Sequence, residues 1–390
     1  MLASVKDLII RARCVILWYN PIRFPVGLLE SGKPGPDSPV LVSGNYYHTV
    51  RRLQRAVRKI NCYILVADSA GINVWCAAGV CDFNEHKIAD AVHSEGLAGK
   101  VAHRELILPQ LGAVGIDLKR LRKESGFRGV WGPADLEDIP AFLDQGKKSD
   151  EKMRLVRFSQ ADRFYNAVGV FNIFLLFPFL SWLAGYSEGA HFFLAINLIE
   201  IFSIFLFYHA LPFKYPTSNS VLVGVITLVA VLIDAVCLRP VTSSVLLFRI
   251  VATIMINFLV TIDMLGSTPF FKTTMGHWLR KWDNHSLFQP EILDHCTGCG
   301  ECEDVCPKLI FTMEARADGN GKKIALTHLY NECIECLACV KQCPVESIIN
   351  LNGDIYKHDV QSVPNIDNIM RTKPGPQTED ARRFLRPIDY

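Results

Sequence analysis

The sequence has almost no excess of charge of either sign. Its 41 lysines and arginines nearly balance 39 aspartates and glutamates, for a formal net charge of +2 over 390 residues. Nucleic-acid-binding domains usually carry a strong basic excess, so we expect no nucleic-acid partner. A signal-peptide pattern is also missing, because Lys6, Arg11 and Arg13 interrupt the first apolar run and no small-residue cleavage site follows. The length leaves room for two or three domains.

Disulfide bonds are not expected, because most cysteines fall in a pattern that requires reduced thiolates and hence a reducing compartment. Eight of the thirteen cysteines form two runs spaced C-x2-C-x2-C-x3-C-P, the spacing of a ferredoxin with two [4Fe-4S] clusters. Three cysteines of each run bind one cluster and the fourth binds the other. The predicted ligands are Cys296, Cys299, Cys302 and Cys343 for cluster I, and Cys333, Cys336, Cys339 and Cys306 for cluster II. The alternative is structural zinc, which uses C-x2-C pairs rather than such triplets.

A block of four apolar stretches occupies the middle of the chain. Each is long enough to cross a hydrocarbon core of about 30 Å as a helix. The predicted spans lie within 167–266 and cover 168–185, 191–211, 220–238 and 241–265. Buried helices of a soluble domain are the alternative. Among the ionisable residues inside the spans, Asp234 and Arg249 flank Pro240 at similar depth, so we expect an ion pair that either fixes helix packing or belongs to a proton or ion path.

Basic residues near both ends of this block predict its orientation. Several lysines and arginines lie between Lys147 and Arg163, and three more follow the last span, whereas the first external loop has none. By the positive-inside rule, an even number of crossings places both soluble parts in the cytoplasm, on one face of the cell membrane. The linker 267–290 contains Trp278, Trp282 and basic residues, and we expect it to lie on the membrane surface.

Residues 38–160 alternate short apolar runs with helical patterns, which favours a Rossmann-like α/β domain, predicted over residues 1–160. Ligands of such sheets lie at loops that leave the carboxyl ends of the strands. Three candidate loops follow: one with Asn45, one from Asn73 onward, and one with Gln110, Leu111 and Gly112. The ferredoxin domain is predicted as α+β over 291–352, followed by a tail over 353–390.

The segment Asn73-Val74-Trp75-Cys76-Ala77-Ala78-Gly79 contains a cysteine with only small residues after it, so a large flat cofactor could reach its sulfur. Together with SPVLVSGNY and HRELILPQLGA, this segment resembles the corrinoid protein of microbial mercury methylation. That family is related to the large subunit of the corrinoid iron-sulfur protein of the acetyl-CoA pathway, and its usual partner is a separate two-cluster ferredoxin, which here is fused at the C-terminus. A free cysteine is otherwise most often a small buried apolar residue.

The resemblance implies a corrinoid-dependent methyltransferase with a cobalamin-type corrinoid held base-off and Cys76 as the cobalt ligand and catalytic residue. The cofactor-binding residues it implies are Asn45, Asn73, Val74, Trp75, Cys76, Ala77, Ala78, Gly79, Gln110, Leu111 and Gly112. A methyltetrahydrofolate-type donor protein would supply the methyl group, Hg(II) is the family's acceptor, and the ferredoxin would re-reduce cobalt with electrons from a low-potential donor.

Three departures from the family pattern keep other functions open. Val80 stands where the family has lysine, no cysteine follows Cys343 to form the family's terminal cysteine pair, and four spans are predicted where the family usually has five. The alternatives are a membrane-bound electron-transfer ferredoxin whose N-terminal domain no longer methylates, and a methyl carrier to a carbon-fixation enzyme.

Overall fold

The computed structural model describes residues 5–16, 22–79, 81–157, 159–207, 210–212, 216–238, 240–267, 290–316, 321–328, 333–334 and 336–350. The chain divides into two compact units. One comprises Met1–Asn20 and Phe158–Asn284, and the other comprises Pro21–Arg157 and His285–Tyr390. The predicted tail, 353–390, and nearly all of the predicted surface linker, 267–290, lie outside the described residues.

A five-stranded sheet forms the centre of the second unit. Its strands are β1 (Gly27–Ser31), β2 (Val40–Gly44), β3 (Cys62–Ala67), β4 (Glu105–Leu108) and β5 (Arg128–Trp131), in the order β1-β3-β2-β4-β5. Strands β2 to β5 are parallel, and β1 pairs with β3 in the antiparallel sense. The prediction of an α/β domain with a parallel sheet is confirmed.

Both faces of this sheet are buried, which explains why β2 and β3 are continuous apolar runs rather than alternating ones. Val42 and Leu65 pack into one hydrophobic core, while Leu41 and Ile64 pack into another on the opposite face.

Helices precede and follow these strands. Before residue 160 they are α1 (Val5–Ile16), α2 (Tyr47–Ala56), α3 (Val74–Gly79), α4 (Glu85–Ser94), α5 (Leu97–Lys100), α6 (Leu118–Ser125), α7 (Ile139–Asp144) and α8 (Glu151–Arg154). Asn84 and Asp117 cap α4 and α6 by accepting backbone hydrogen bonds. Helix α1 lies within the predicted α/β domain 1–160. It belongs instead to the unit of apolar helices, where it contacts the helix that begins at Gln160.

The C-terminal part of the second unit is a small α+β lobe, called here the ferredoxin lobe (residues 290–350). Strand β6 (Pro290–Ile292) pairs with β9 (Ile348–Asn350), and β7 (Phe311–Ala315) pairs with β8 (Lys323–Thr327), both antiparallel. Each cysteine run contains a short helix just before its fourth cysteine. These helices are α14 (Glu301–Val305) and α15 (Ala338–Gln342). The duplicated strand pairs and helices match the duplicated cysteine runs.

Within its described residues, the first unit contains four helices long and apolar enough to cross a membrane, over Gln160–Leu183, Ser187–Leu206, Asn219–Leu238 and Ser243–Thr261. Its helical segments are α9 (Gln160–Phe174), α10 (Leu176–Leu183), α11 (Ser187–Leu206), α12 (Pro216–Ile233), a π-helical turn (Asp234–Leu238) and α13 (Ser243–Ser267). The number of apolar helices agrees with the prediction, while their ends differ by several residues. The first begins at Gln160 because Ser159 and Asp162 form a capping box there.

Proline explains the break between α9 and α10. Pro178 has no backbone N–H to donate to the carbonyl of Phe174. The side chain of Asn197, on α11, donates to that carbonyl instead, at 2.9 Å. The expected pair near Pro240 is also present, with Arg249 Nη1 3.1 Å from Asp234 Oδ2.

Candidate functional site

Cys76 lies on α3, the short helix that follows the carboxyl end of β3. Its backbone N–H donates to Asn73 Oδ1 at 3.0 Å, and Asn73 Nδ2 donates to the Cys76 sulfur at 3.4 Å. The residue is exposed. Neighbouring protein atoms raise the pKa of the Cys76 thiol by restricting its hydration, and the hydrogen bond from Asn73 acts in the opposite direction. Cys76 is thus an accessible, oriented sulfur at the edge of the sheet where ligands bind.

Asn45 holds the loop before α3 rather than facing solvent. It is 3% exposed. Its Oδ1 accepts from the backbone N–H groups of Ser69 and Gly71, both at 2.9 Å, and its Nδ2 donates to Asp68 at 3.0 Å. Because these bonds occupy its amide, Asn45 acts on the site by fixing the backbone that leads into α3.

The other residues predicted to contact the cofactor differ in how exposed they are to solvent. Asn73 and Gly79 are exposed like Cys76, and a Cβ added at Gly79 would meet nothing within 4 Å. Trp75 and Leu111 are half-buried. Those buried in the core of the domain, or beside it, are Val74, Ala77, Ala78, Gln110 and Gly112. Because these five residues are buried, their direct contact with a cofactor stays a prediction.

The four cysteines predicted for cluster I surround one cavity in the ferredoxin lobe. Cys296, Cys299, Cys302 and Cys343 line it, together with apolar residues such as Ile292 and Met313. Burial raises the pKa of Cys302 to about 12, and the other three cysteines of the set add to the effect. Backbone N–H groups point at two of the sulfurs, from Gly298 to Cys296 at 3.4 Å and from Ser347 to Cys343 at 3.2 Å.

The second set is more deeply covered. Cys306, Cys333 and Cys339 are buried, and the charges that raise the pKa of Cys339, after burial itself, come from Cys336, Cys333, Cys306 and Cys302. The backbone N–H of Ile310 points at the Cys306 sulfur at 3.5 Å. A buried thiol with a raised pKa remains protonated unless a cation binds its thiolate, which is what cluster iron does. The donor atoms, their grouping and the N–H···S bonds therefore fit iron-sulfur clusters.

The ferredoxin lobe packs directly on the α/β domain. Gln342, on α15, is buried, and its Nε2 donates to the carbonyls of Ala113 at 2.6 Å and Ile116 at 2.7 Å. Val305 and Ala338 belong to the same hydrophobic core as Ala77 and Ala78 of the α/β domain. The short helices within the two cysteine runs thus help to cover the domain that carries Cys76.

Polar contacts extend this interface. Arg154, itself buried, places Nη1 3.2 Å from Asp304 and Nη2 3.7 Å from Glu303, while its carbonyl accepts from Gln110 Nε2 at 2.9 Å. Lys119 Nζ donates to the carbonyl of Pro344 at 3.2 Å. Sequence reasoning missed Gln342 and Arg154, since a pairing between residues so far apart in the chain leaves no spacing pattern.

Cys81 lies in the turn after α3. It is exposed and has a left-handed backbone, with φ of 62°.

Comparison with known proteins agrees with this division. Residues 18–143 match the family model described as CO dehydrogenase/acetyl-CoA synthase delta subunit, and residues 295–347 match the 4Fe-4S dicluster domain. The corrinoid/iron-sulfur protein large subunit of Moorella thermoacetica is 32% identical over 124 residues, which is 31% of this chain and 27% of that protein. The acetyl-CoA decarbonylase/synthase complex subunit gamma of Methanopyrus kandleri is 30% identical over 131 residues, 32% of this chain and 27% of that subunit.

The chain thus spans little more than a quarter of the length of these curated relatives. It carries an N-terminal domain related to the corrinoid iron-sulfur protein, as the sequence predicted, together with a 4Fe-4S dicluster domain. Mercury methylation stays a prediction.

Proposed function

We propose that this chain is a membrane-anchored corrinoid iron-sulfur protein that carries a methyl group to an acceptor and is re-reduced by its own ferredoxin lobe. One observation carries the proposal: an accessible Cys76 stands at the carboxyl edge of a corrinoid-related domain, and the dicluster lobe packs on that same domain. One relative of the domain is the large subunit of a corrinoid/iron-sulfur protein, and a thiolate is a strong electron donor to cobalt.

Cys76 would hold the cobalt of a base-off corrinoid. The bound corrinoid would supply a cobalt centre able to accept and release a methyl group. Asn73 orients the sulfur through its two hydrogen bonds with Cys76, and the open space beside Gly79 leaves room for a flat ring. The buried Ala77 and Ala78 let α3 lie close to the sheet, so the position of the sulfur is fixed by core packing.

The ferredoxin lobe would supply electrons from its two clusters to the domain that it covers. A methyltetrahydrofolate-type donor protein and a low-potential electron donor complete the proposed set of partners. Covalent fusion keeps donor and acceptor at an effective concentration in the millimolar range.

Membrane anchoring is part of the proposal, with the two soluble parts in the cytoplasm. Four apolar helices are long enough to cross a bilayer. The α/β domain and the ferredoxin lobe flank those helices in sequence yet form one compact unit, which supports the proposal that both lie on the same side of the membrane. An even number of crossings agrees with that placement.

The acceptor is Hg(II) in the family that the NVWCAAG segment resembles, and we propose Hg(II) here on that basis. A second candidate acceptor is a carbon-fixation enzyme. It is favoured by the matched relatives, which are a subunit of an acetyl-CoA decarbonylase/synthase complex and the large subunit of a corrinoid/iron-sulfur protein.

Metal analysis of anaerobically purified full chain tests the proposal. We expect one cobalt beside about eight irons, since each of two clusters holds four. Methyl transfer would then be followed by isotope-labelled methyl, with methylmercury as the product from Hg(II) and acetyl-CoA as the product with an acetyl-CoA synthase. Iron without cobalt would contradict both methyl-transfer functions and leave the chain as a membrane-bound electron carrier.

A further inference from the structure

The helices of the first unit enclose a set of polar side chains that no part of the proposed methyl chemistry uses. Glu200 and Asn197, both on α11, are each 0% exposed, and Ser220 on α12 is also fully buried. Because positions three apart in a helix share one face, Asn197 and Glu200 point in the same direction. A carboxyl group in the interior of an apolar bundle is costly and needs a compensating partner.

Three side-chain oxygens in this set have no hydrogen-bond partner among the described residues. They are both carboxyl oxygens of Glu200 and Asn197 Oδ1. One N–H of the Asn197 amide donates to the Phe174 carbonyl that Pro178 leaves free, which fixes the orientation of this side chain.

Asn257, on α13, is close enough to act on the Glu200 carboxyl without having the geometry of a hydrogen bond to it. One N–H of its Nδ2 donates to the Ser220 carbonyl at 3.0 Å. Thr261 Oγ1 bonds the Asn257 carbonyl at 2.7 Å and lies 2.5 Å from Ser220 Oγ. Gly224 makes room for this arrangement, because a Cβ there would come within 2.5 Å of the Asn257 side chain.

Charged groups elsewhere in the bundle have other partners. The described charged side chains on the helical segments packed against α11 are Asp162, Arg163, Asp234 and Arg249. Asp234 and Arg249 pair with each other at 3.1 Å, Asp162 accepts from Ser159, and Arg163 donates to the Leu206 carbonyl at 3.4 Å. On α11 itself, Glu188 is exposed near the start of the helix, and the His191 ring bonds the Ser187 carbonyl.

We propose that Glu200 and Asn197 form a binding site for one small monovalent cation, a proton or a sodium ion, inside the apolar helix bundle. Either cation neutralises the Glu200 carboxylate and binds oxygens that have no hydrogen-bond donor. Hard cations prefer carboxylate and amide oxygens, which are the atoms left unpaired here. This site is independent of the corrinoid and of the clusters.

Dicyclohexylcarbodiimide tests the proposal, because it modifies protonated carboxyl groups in apolar surroundings. The full chain, reconstituted in lipid nanodiscs, would be treated in choline or sodium buffer at several pH values, and the modified peptides quantified by mass spectrometry. We expect Glu200 to be modified at least tenfold faster than Glu188. Glu188→Gln is the matched control and should leave the Glu200 signal unchanged, whereas Glu200→Gln should abolish it.

The two cations give different results. Slower modification in sodium than in choline at equal ionic strength identifies sodium. A rate that is equal in both salts but falls as the pH rises identifies a proton. No modification of Glu200 in choline at pH 6, or a rate that responds to neither sodium nor pH, would overturn the proposal. These results come from the wild-type chain, so they hold even if Glu200→Gln fails to assemble.

Discussion

Asn45 and Glu200 show how differently two buried polar residues can be placed. Asn45 has partners for both its amide oxygen and its amide nitrogen, so it stabilises the loop that leads to α3. Glu200 has none for its two oxygens among the described residues. Buried polar groups are nearly always bonded, so the first residue is structural, and the second indicates a ligand.

Replacing Asn45 by alanine should destabilise the α/β domain by about 2–3 kcal/mol, because two buried backbone N–H groups lose their acceptor. Thermal unfolding of the two chains measures the difference. Gln145→Ala, at an exposed position, is the control and should change stability by less than about 0.5 kcal/mol. Equal stability of the Asn45 variant and wild type would show that the loop does not depend on this amide.

Glu105 gives the stability of the sheet a pH dependence. Burial acts to raise the pKa of its carboxyl, but hydrogen bonds from Lys147 and Arg128, at 2.5 and 2.6 Å, outweigh burial and lower it. A carboxylate whose pKa is lower in the folded state stabilises the fold above its unfolded pKa of about 4.3. That contribution is lost as the pH falls through the lower, folded value.

We therefore expect Glu105→Gln to lower stability by about 1 kcal/mol at pH 7, a value kept small because Arg128 is largely exposed. The difference from wild type should shrink below pH 4. Unfolding measured from pH 7 to pH 3 tests this, and a difference that is constant over the whole range would contradict it.

At the scale of elements, α3 is positioned by close backbone packing against the loop after Gly112. Gly115 sits where an added Cβ would come within 2.5 Å of the Phe83 carbonyl and 2.8 Å of the Ala78 carbonyl. Only glycine allows this approach. The loop in turn supplies the Ile116 carbonyl that Gln342 bonds, so it connects α3 to the ferredoxin lobe.

Gly115→Ala should destabilise the domain by more than about 2 kcal/mol, since the clash is with backbone atoms that cannot rotate away. Hydrogen exchange should also increase in α3. Gly99→Ala is the matched control, because a Cβ there meets nothing within 4 Å. Since Gly99 lies in helix α5, this change should not lower stability, and it should leave hydrogen exchange in α3 unchanged. A Gly115 variant as stable as wild type would refute the close packing.

Sequence patterns predict a helix or strand well where neighbouring residues alone determine it. Strands β2 and β3 follow from uninterrupted apolar runs, and the apolar helices follow from their length and hydropathy. Helix α3, with six residues, has too few turns to produce a periodicity, so its segment is distinguished by Cys76 followed only by small residues and by the resemblance, not as a helix. The first apolar helix begins at Gln160, before the predicted span 168–185, because a capping box and not hydropathy sets its start.

For the whole molecule, the central feature is that two lobes far apart in sequence form one unit. The cysteine spacing predicted the grouping of ligands around the cavity at Cys302, because both the triplets and the C-P positions are local. The docking of the lobe was not predictable, since it depends on Gln342 and Arg154 meeting groups more than a hundred residues away.

Gln342→Ala should loosen this docking by leaving the carbonyls of Ala113 and Ile116 without their donor. We expect faster hydrogen exchange at residues 113–116 with iron content unchanged, since Gln342 is not a predicted cluster ligand. Glu314→Gln, at an exposed position of the same lobe, should alter neither. Unaltered exchange in the Gln342 variant would mean that the lobe is held by its apolar contacts alone.

The central claim, that Cys76 holds cobalt, is tested most directly by cobalt X-ray absorption spectroscopy of the anaerobically purified full chain. The account predicts one sulfur ligand on cobalt in the wild type and in Cys81→Ala, and its loss in Cys76→Ala with iron content unchanged. A cobalt coordinated by nitrogen and oxygen alone in the wild type, or a sulfur ligand that survives Cys76→Ala, would contradict it.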